Sequence, residues 1–366
     1  MRRILLVKWG GIEVWGGITV LLINLLQHMD RRDLDIDLYV FGRIKAEEIH
    51  QRFSELGVHI ICGNHDGYQP RQIASDLHAI MKKKRYDVVH CNTGGLELTA
   101  ITMLAALLHG VPARIAHSHN SKPNDCPYSR RERMYQFINR SFSTVRLCCS
   151  NAAAEHLFGR SGAKRAVVLK NGIETEKYRF DLGVRNKIRR ELGLEDALVL
   201  GHVGRFEQQK NHDFLLDIFA AVKAKQKNTA LLLIGVGSLM PEMQEKTARL
   251  GLSESVFFLG STDRVTNYLQ AMDVFVFPPL YEGLGIAAIE AQAADLPVIS
   301  SDTVPCEACI TSRFTYVPLK CSAEQWSDVI LEETKHCRPR ADQTEEIRSS
   351  GYDITSSAER LFQLYI

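Results

Sequence analysis

Short apolar runs that read as buried strands alternate with longer helical stretches along the whole sequence, and the alternation starts twice. The first start is Arg3 to Lys8, followed by a glycine-bearing loop. A helix then runs from about Ile18 to Met29, with Leu21, Leu22, Leu25 and Leu26 on one face. The second start is Leu198 to Val203, followed by a loop from Gly204 to Asn211 and a helix from Phe214 to Lys225. Parallel strands need long crossovers, and crossover helices cover both faces of the sheet. The pattern predicts an α/β chain of two Rossmann-like, doubly wound domains. A length of 366 residues suits two domains better than one.

In the first half the expected strands lie at 35–41, 58–62, 88–91, 113–117 and 144–149, with helices at 46–56, 71–84, 97–108, 128–142 and 151–158. Ser150 stands as a helix cap. In the second half, strands are expected at 230–234, 256–260, 273–277 and 297–301. The polar stretch 171–190 reads as a linker, giving domains 1–180 and 181–352. A final helix, Asp353 to Tyr365, has Ser356 and Glu359 at capping-box spacing and is expected to pack back on the first domain.

Apolar residues (45%) and charged residues (24%) are in soluble-protein proportion, and the longest apolar run, around Leu98 to Leu108, is about half the roughly 20 residues of a membrane span. Ile4 to Val7 follows Met1-Arg-Arg as a signal peptide would, but the run stops at Lys8 with no cleavage site after it. The nine cysteines are scattered. Cys306-x-x-Cys309 lacks the partners of a zinc set, so reduced thiols in a cytoplasmic protein are expected. Net charge is +2, yet residues 1–180 hold 26 Lys and Arg against 17 Asp and Glu, and the remainder 19 against 26. The basic runs Lys82-Lys83-Lys84-Arg85 and Arg130-Arg131-Arg133 are either solvated helix faces or a docking surface for anionic lipid headgroups. Nucleic acid fits less well, because no aromatics interleave them.

The densest chemistry lies at Tyr281 to Gln292, YEGLGIAAIEAQ. A buried strand, two prolines and Gly283-Leu284-Gly285-Ile286 lead into an Ala-rich helix, an order that offers free backbone N–H groups and a helix dipole to a phosphate. Glu282 and Glu290, with seven residues between them, can each accept from paired hydroxyls, one set on a sugar and the other on a ribose. Earlier, Gly204-Arg205-Phe206 and Gln209-Lys210-Asn211 precede a helix start, where cations are unfavourable on dipole grounds. Arg205 and Lys210 can neutralise charge on a departing diphosphate, in place of a metal for which no D-x-D motif is present. His117-Ser118-His119-Asn120 closes a strand at its carboxyl end, where open α/β sheets place ligands. His117 is expected to face the opposite side of that strand from His119.

Taken in order, these motifs resemble the retaining glycosyltransferases of family 4, which have the GT-B fold: two Rossmann-like domains facing each other across a cleft. E-G-L-G-I-A-A-I-E resembles the family's E-x7-E motif, G-R-F-x-x-x-K-N its G-R-[FL]-x-x-x-K-[GN] signature, and Asn171-Gly172-Ile173-Glu174 its N-G-[IV]-D segment. Gly235-x-Gly237-x-Leu239 resembles G-x-G-x-L, and the turn at Gly260 the F-x-G beside the nucleobase pocket. Asp295 departs from the pattern, standing where the family usually has glycine. The resemblance implies that Gly16 and Gly17 bring backbone close to substrate and that His119 contacts the donor sugar near its reacting carbon. It further implies donor contacts from Gly204, Gly237, Gly260, Gly283, Leu284, Gly285, Ile286 and Glu290, and a catalytic group of His119, Arg205, Lys210 and Glu282.

The wording of the motifs is similar to bacterial exopolysaccharide and capsule glycosyltransferases. The implied activity is transfer of a hexose from a nucleotide sugar, UDP-linked, to a glycan or polyprenyl-diphosphate-linked acceptor. No cofactor or metal is expected, and the implied location is the cytoplasm, peripheral on the inner face of the membrane. A GT-B nucleotide-sugar epimerase and a non-catalytic nucleotide-sugar-binding scaffold are the alternatives. Lys210→Ala is expected to lower turnover with little change in melting temperature.

Overall fold

The computed structural model describes residues 1–10, 17–43, 47–122, 126–335 and 339–366. The chain divides into two compact units, Met1–Ile173 with Gly351–Ile366, and Glu174–Ser350.

The first unit has strands β1 (Arg2–Lys8), β2 (Leu34–Val40), β3 (Val58–Cys62), β4 (Val88–Thr93), β5 (Ala113–Ser118), β6 (Val145–Cys148) and β7 (Val167–Val168). They lie in the order β3-β2-β1-β4-β5-β6-β7, and every pairing is parallel. Its helices are α1 (Gly17–Gln27), α2 (Glu47–Glu55), α3 (Pro70–Lys83), α4 (Leu96–Leu108), α5 (Arg130–Phe142) and α6 (Asn151–Ala163). The second unit repeats the scheme with β8 (Leu198–Val203), β9 (Thr229–Ile234), β10 (Val256–Gly260), β11 (Val274–Phe277), β12 (Val298–Ser301) and β13 (Phe314–Val317). Their order is β10-β9-β8-β11-β12-β13, again all parallel. The helices here are α7 (Leu182–Leu192), α8 (His212–Lys225), α9 (Met240–Arg249), α10 (Val265–Ala271), α11 (Ile286–Ala293), α12 (Ala323–Lys335) and α13 (Thr344–Ile347). A last helix, α14 (Ile354–Gln363), returns to the first unit. Both sheets are doubly wound, and the strand order reverses where β1 meets β4 and where β8 meets β11.

The return of α14 is held by backbone and by core. Ile173 N–H donates to the Tyr352 carbonyl (2.8 Å) and Ile354 N–H to the Ile173 carbonyl (3.0 Å), a one-residue parallel bridge. Gly172 lies against that bridge so closely that a Cβ there would sit 2.6 Å from the Asp353 carbonyl oxygen. Ile354, Ala358, Leu361 and Tyr365 then enter the same apolar core as Leu22, Leu25 and Leu26 of α1 and Ile4 and Leu6 of β1. The Arg2 guanidinium donates to the Ile366 carbonyl oxygen.

Two local expectations are corrected. Of the stretch 171–190, read as polar linker, the part from Leu182 onward is helix α7 (Leu182–Leu192). Asp181 caps it by accepting from Val184 N–H (2.9 Å), and its arginines Arg185 and Arg189 both bind Asp273 at 2.5 Å. Its polarity therefore serves a packed contact rather than a flexible chain. The capping box of Ser356 with Glu359 does not form. Asp353, nearer the helix start, accepts from Ser356 N–H (3.2 Å) and leaves Ser356 inside the first turn. Ser150 does cap α6, accepting from Ala153 N–H at 3.2 Å.

Leu361 is 2% exposed in the core of the first unit. Leu361→Ala is expected to lower that unit's stability by about 2–5 kcal/mol while the second unit melts unchanged. Hydrogen exchange along a urea series separates the two. Equal destabilisation of both units would contradict the placement of α14.

Candidate active site

In the second unit, β8 and β11 are neighbours at the reversal of strand order, so the loops that leave their carboxyl ends must meet. They are joined by three bonds: Leu280 N–H to the Gln209 carbonyl (2.8 Å), Asn211 Nδ2 to the Pro278 carbonyl (3.0 Å) and Gln209 Nε2 to the Tyr281 carbonyl (3.0 Å). A third loop, after β9, lies backbone on backbone against the first. Gly204 N–H donates to Ile234, Phe206 N–H to Val236 and Leu239 N–H to Phe206. A Cβ on Gly235 would stand 2.1 Å from the Gly204 carbonyl oxygen, and one on Gly237 would stand 2.4 Å from that of Phe206. These two glycines are required by that approach. Gly260, at φ 69°, joins the same edge by accepting from Gly235 N–H (2.9 Å).

This scaffold brings Lys210 and Glu282 into an ion pair at 2.5 Å, with the lysine ammonium 5.0 Å from the centre of the Phe277 ring. Both side chains are largely buried. Arg205, on the same loop, is exposed and forms no ion pair among the described residues. Leu284 is buried, and Gly285, at φ 87°, delivers the chain into α11. Glu290, in α11, receives a hydrogen bond from the Tyr178 hydroxyl at 2.7 Å. Glu290 keeps some contact with solvent, but the protein packed around it pushes its carboxyl up to about 7. Beneath the Gly204–Asn211 loop lie His202 and His212, their ring centres 4.8 Å apart and both held neutral by burial.

Asp295 does more than tolerate its left-handed position (φ 49°). Its carboxylate accepts from Ala341 N–H (2.7 Å) and Gln343 Nε2 (3.0 Å), tying the chain beyond α12 to the turn that ends α11. A glycine there could not do this.

The first unit holds His119, just past the end of β5. Its Nε2 lies 3.4 Å from Asn92 Oδ1, and its ring centre is 3.9 Å from that of His117. His117 does not face away. Residues two apart in a strand share a face, and the expectation misread the alternation. Burial depresses both imidazoles, His119 to about 3, and keeps them neutral. Gly17 opens α1 with nothing within 4 Å of where its Cβ would be, so packing does not demand glycine there. Gly16 lies outside the described residues. Arg205, Lys210, Glu282, Glu290 and Gly204, Gly237, Gly260, Gly283, Leu284, Gly285 and Ile286 thus belong to the second unit, and His119 and Gly17 to the first. Tyr178 was not anticipated; it approaches Glu290 from 112 residues away, and no local pattern marks such a contact.

Residues 15–177 match the family described as Glycosyltransferase Family 4, and residues 184–348 the family described as Glycosyl transferases group 1. EpsF of Bacillus subtilis (strain 168), assigned as a glycosyltransferase, is 29% identical over 360 residues, covering 96% of this chain and 93% of EpsF. The UDP-Gal:alpha-D-GlcNAc-diphosphoundecaprenol alpha-1,3-galactosyltransferase of Escherichia coli is 26% identical over 253 residues, 66% of this chain and 64% of that enzyme. Among solved structures, Anabaena HepE in complex with UDP-glucose superposes with a TM-score of 0.80 at 18% identity, covering 99% of both chains. The fold is GT-B.

A carboxyl raised to about 7 when folded, against about 4.5 unfolded, binds its proton more tightly in the native state. Its contribution to stability is present below pH 4.5 and is lost as pH rises through 7. Glu290→Gln is therefore expected to melt with the parent at pH 4.5 and to exceed it at pH 8 by on the order of 2 kcal/mol. Thermal melts of both proteins across that range check it, and equal melts at pH 8 would refute the burial argument.

Proposed function

Because this chain belongs to the glycosyltransferases, as a family 4 domain followed by a group 1 domain, we propose that it is a retaining hexosyltransferase of surface polysaccharide synthesis. Its donor is a nucleotide sugar, UDP-linked, and its acceptor a glycan or polyprenyl-diphosphate-linked glycan. It needs no metal. The observation that carries this reading is the convergence at the β8–β11 reversal of Lys210, Glu282 and Glu290, with Arg205 on the same loop as Lys210.

Glu290 accepts from the ribose, with Tyr178 occupying one of its oxygens. Arg205 and Lys210 take the diphosphate together with the backbone from Gly283 to Ile286. As the bond from the anomeric carbon to the β-phosphate oxygen breaks, charge grows on that oxygen, and the two cations stabilise it. Glu282 orients both Lys210 and the sugar hydroxyls. The acceptor oxygen bonds to the anomeric carbon, and its proton passes to the departing phosphate. The role of His119 in this reading is to contact the donor sugar at that carbon. The loops at Gly204, Gly237 and Gly260 shape the nucleotide's seat.

Docking on the cytoplasmic face of an anionic membrane belongs to the same proposal, and α5 is the surface that supports it. Arg130, Arg133, Met134 and Phe137 share one exposed helix face, with the Arg140 guanidinium 5.1 Å from the centre of the Phe137 ring. The other basic run serves less well. Lys84 is committed to Asp35 and Asp37 (2.9 and 2.8 Å). Among the described residues no helix is long and apolar enough to cross a membrane.

Three outcomes follow. UDP is expected to raise the melting temperature equally with and without EDTA, and to lose that effect in Glu290→Gln; a shift that requires Mg2+ would overturn metal independence. Lys210→Met is expected to lower turnover of the donor roughly 100- to 1,000-fold. The ion pair also revises the thermal expectation: removing Lys210 takes the ammonium from a largely buried Glu282 carboxylate, so the variant melts lower, and adding Glu282→Gln restores melting but not turnover. Full turnover in Lys210→Met would remove the residue from the reaction. Finally, Met134→Asp with Phe137→Asp is expected to abolish co-sedimentation with phosphatidylglycerol vesicles at unchanged UDP binding.

A further inference from the structure

Behind His119 runs a chain of buried polar side chains that reaches the far end of the sequence. The Tyr365 hydroxyl lies 2.6 Å from His90 Nδ1, and His90 Nε2 lies 3.2 Å from His117 Nδ1. The His90 and His117 rings are nearly parallel (13°), and His117 in turn packs on His119 at 3.9 Å between centres. Strand periodicity explains the alignment. Val88, His90 and Asn92 share one face of β4, and Ile115 and His117 share that face of β5, the face covered by α1 and α14. Apolar side chains occupy this face except at its carboxyl end, where the histidines replace them.

We propose that Tyr365 and His90 are positioning residues for His119, acting through His117, so that the last turn of the chain is part of the transferase site. This rests on the role of His119 given above. A separation of 2.6 Å suits an O–H donor better than an N–H donor. The Tyr365 hydroxyl therefore donates to His90 Nδ1. His90 then carries its proton on Nε2 and donates to His117 Nδ1, and His117 carries its own on Nε2. His119 meets a carbonyl-type acceptor, Asn92 Oδ1, so its proton is on Nε2 and its Nδ1 presents a lone pair. Neither His117 Nε2 nor His119 Nδ1 has a hydrogen-bond partner among the described residues. One phenol thus sets the tautomer of two imidazoles in series, and with it the polarity of the surface against which His119 rests. Burial supports the scheme by keeping every member neutral.

Two measurements on the full chain test this. In protein labelled with 15N-histidine, His117 is expected to show a single tautomer, protonated at Nε2, which becomes mixed in Tyr365→Phe. A His117 tautomer unchanged in Tyr365→Phe overturns the proposal, whatever the protein's activity. The second is a double-mutant cycle on UDP release from UDP-glucose with water as acceptor. Tyr365→Phe is expected to lower kcat about five- to tenfold, the worth of one hydrogen bond, with KM for the donor unchanged. The loss is expected to vanish in a His119→Ala background, since residues acting through one another are non-additive. An equal loss in both backgrounds, or a loss confined to KM, assigns Tyr365 a purely structural role and overturns the proposal. Full turnover in His119→Ala would instead overturn the reading of His119, which the tautomer measurement does not depend on.

Discussion

The second unit's chemistry depends on one constraint of chain geometry: at the reversal of a doubly wound parallel sheet, two successive crossovers leave to opposite sides, and the loops at that point have room between them. β8 and β11 meet there. What makes the room usable is that the loops are fixed to each other and to a third. Gln209 and Asn211 tie the first loop to the second, and the Gly235–Gly237 backbone presses on the Gly204–Phe206 backbone closer than any side chain would permit. Lys210, Glu282 and Glu290 are therefore carried on supports that cannot drift independently, a precondition for stabilising charge that appears only as a bond breaks.

Both units hold paired charges, Lys84 with Asp35 and Asp37 in the first among them, but around the proposed site residues the two differ. In the second, charges are kept and paired: Lys210 with Glu282, and Arg185 and Arg189 with Asp273. Such pairs cost desolvation and hold only while both partners remain, which is why the lysine's removal is costly to the fold as well as to the proposed reaction. Glu290 is the exception, a carboxyl whose one hydrogen-bond partner among the described residues is a neutral phenol and whose ionisation is correspondingly resisted. In the first unit the polar groups beneath the sheet's carboxyl edge are neutral imidazoles, connected by hydrogen bonds rather than by charge.

Much of this was legible in the sequence. The double start of strand, loop and helix predicted both sheets, because parallel strands with crossovers have few alternatives. The glycines at 204, 235 and 237, with Arg205, Lys210, Glu282 and Glu290, stood out because each breaks a local rule. Glycines interrupt apolar runs, cations sit at a helix start and carboxylates flank a phosphate-type turn. Residues that obey local rules while acting over distance stayed hidden. Tyr178 reads as one more polar residue of a junction, and α7 reads as linker because its arginines find Asp273 only in the fold. His117 is a different case: residues two apart in a strand share a face, so it lies on the same side as His119.

Asp295, which departs from the resemblance, and Gly172, which conforms to it, both acquire meaning once packing is known. Asp295 occupies a left-handed turn that glycine would fill at less strain, yet its carboxylate holds the segment at Ala341 and Gln343, beyond α12. Farther along the same course the chain re-enters the first unit, where Gly172 allows the backbone of Asp353 and Ile354 to close on Ile173. A residue that seems only tolerated therefore anchors, within the second unit, the segment that precedes the chain's return to the first. Strain at a single backbone position is offset by the hydrogen bonds its side chain makes, those to Ala341 and Gln343 among them, and the position of the Tyr365 phenol is set by the bridge at Ile173 and the apolar face of α14.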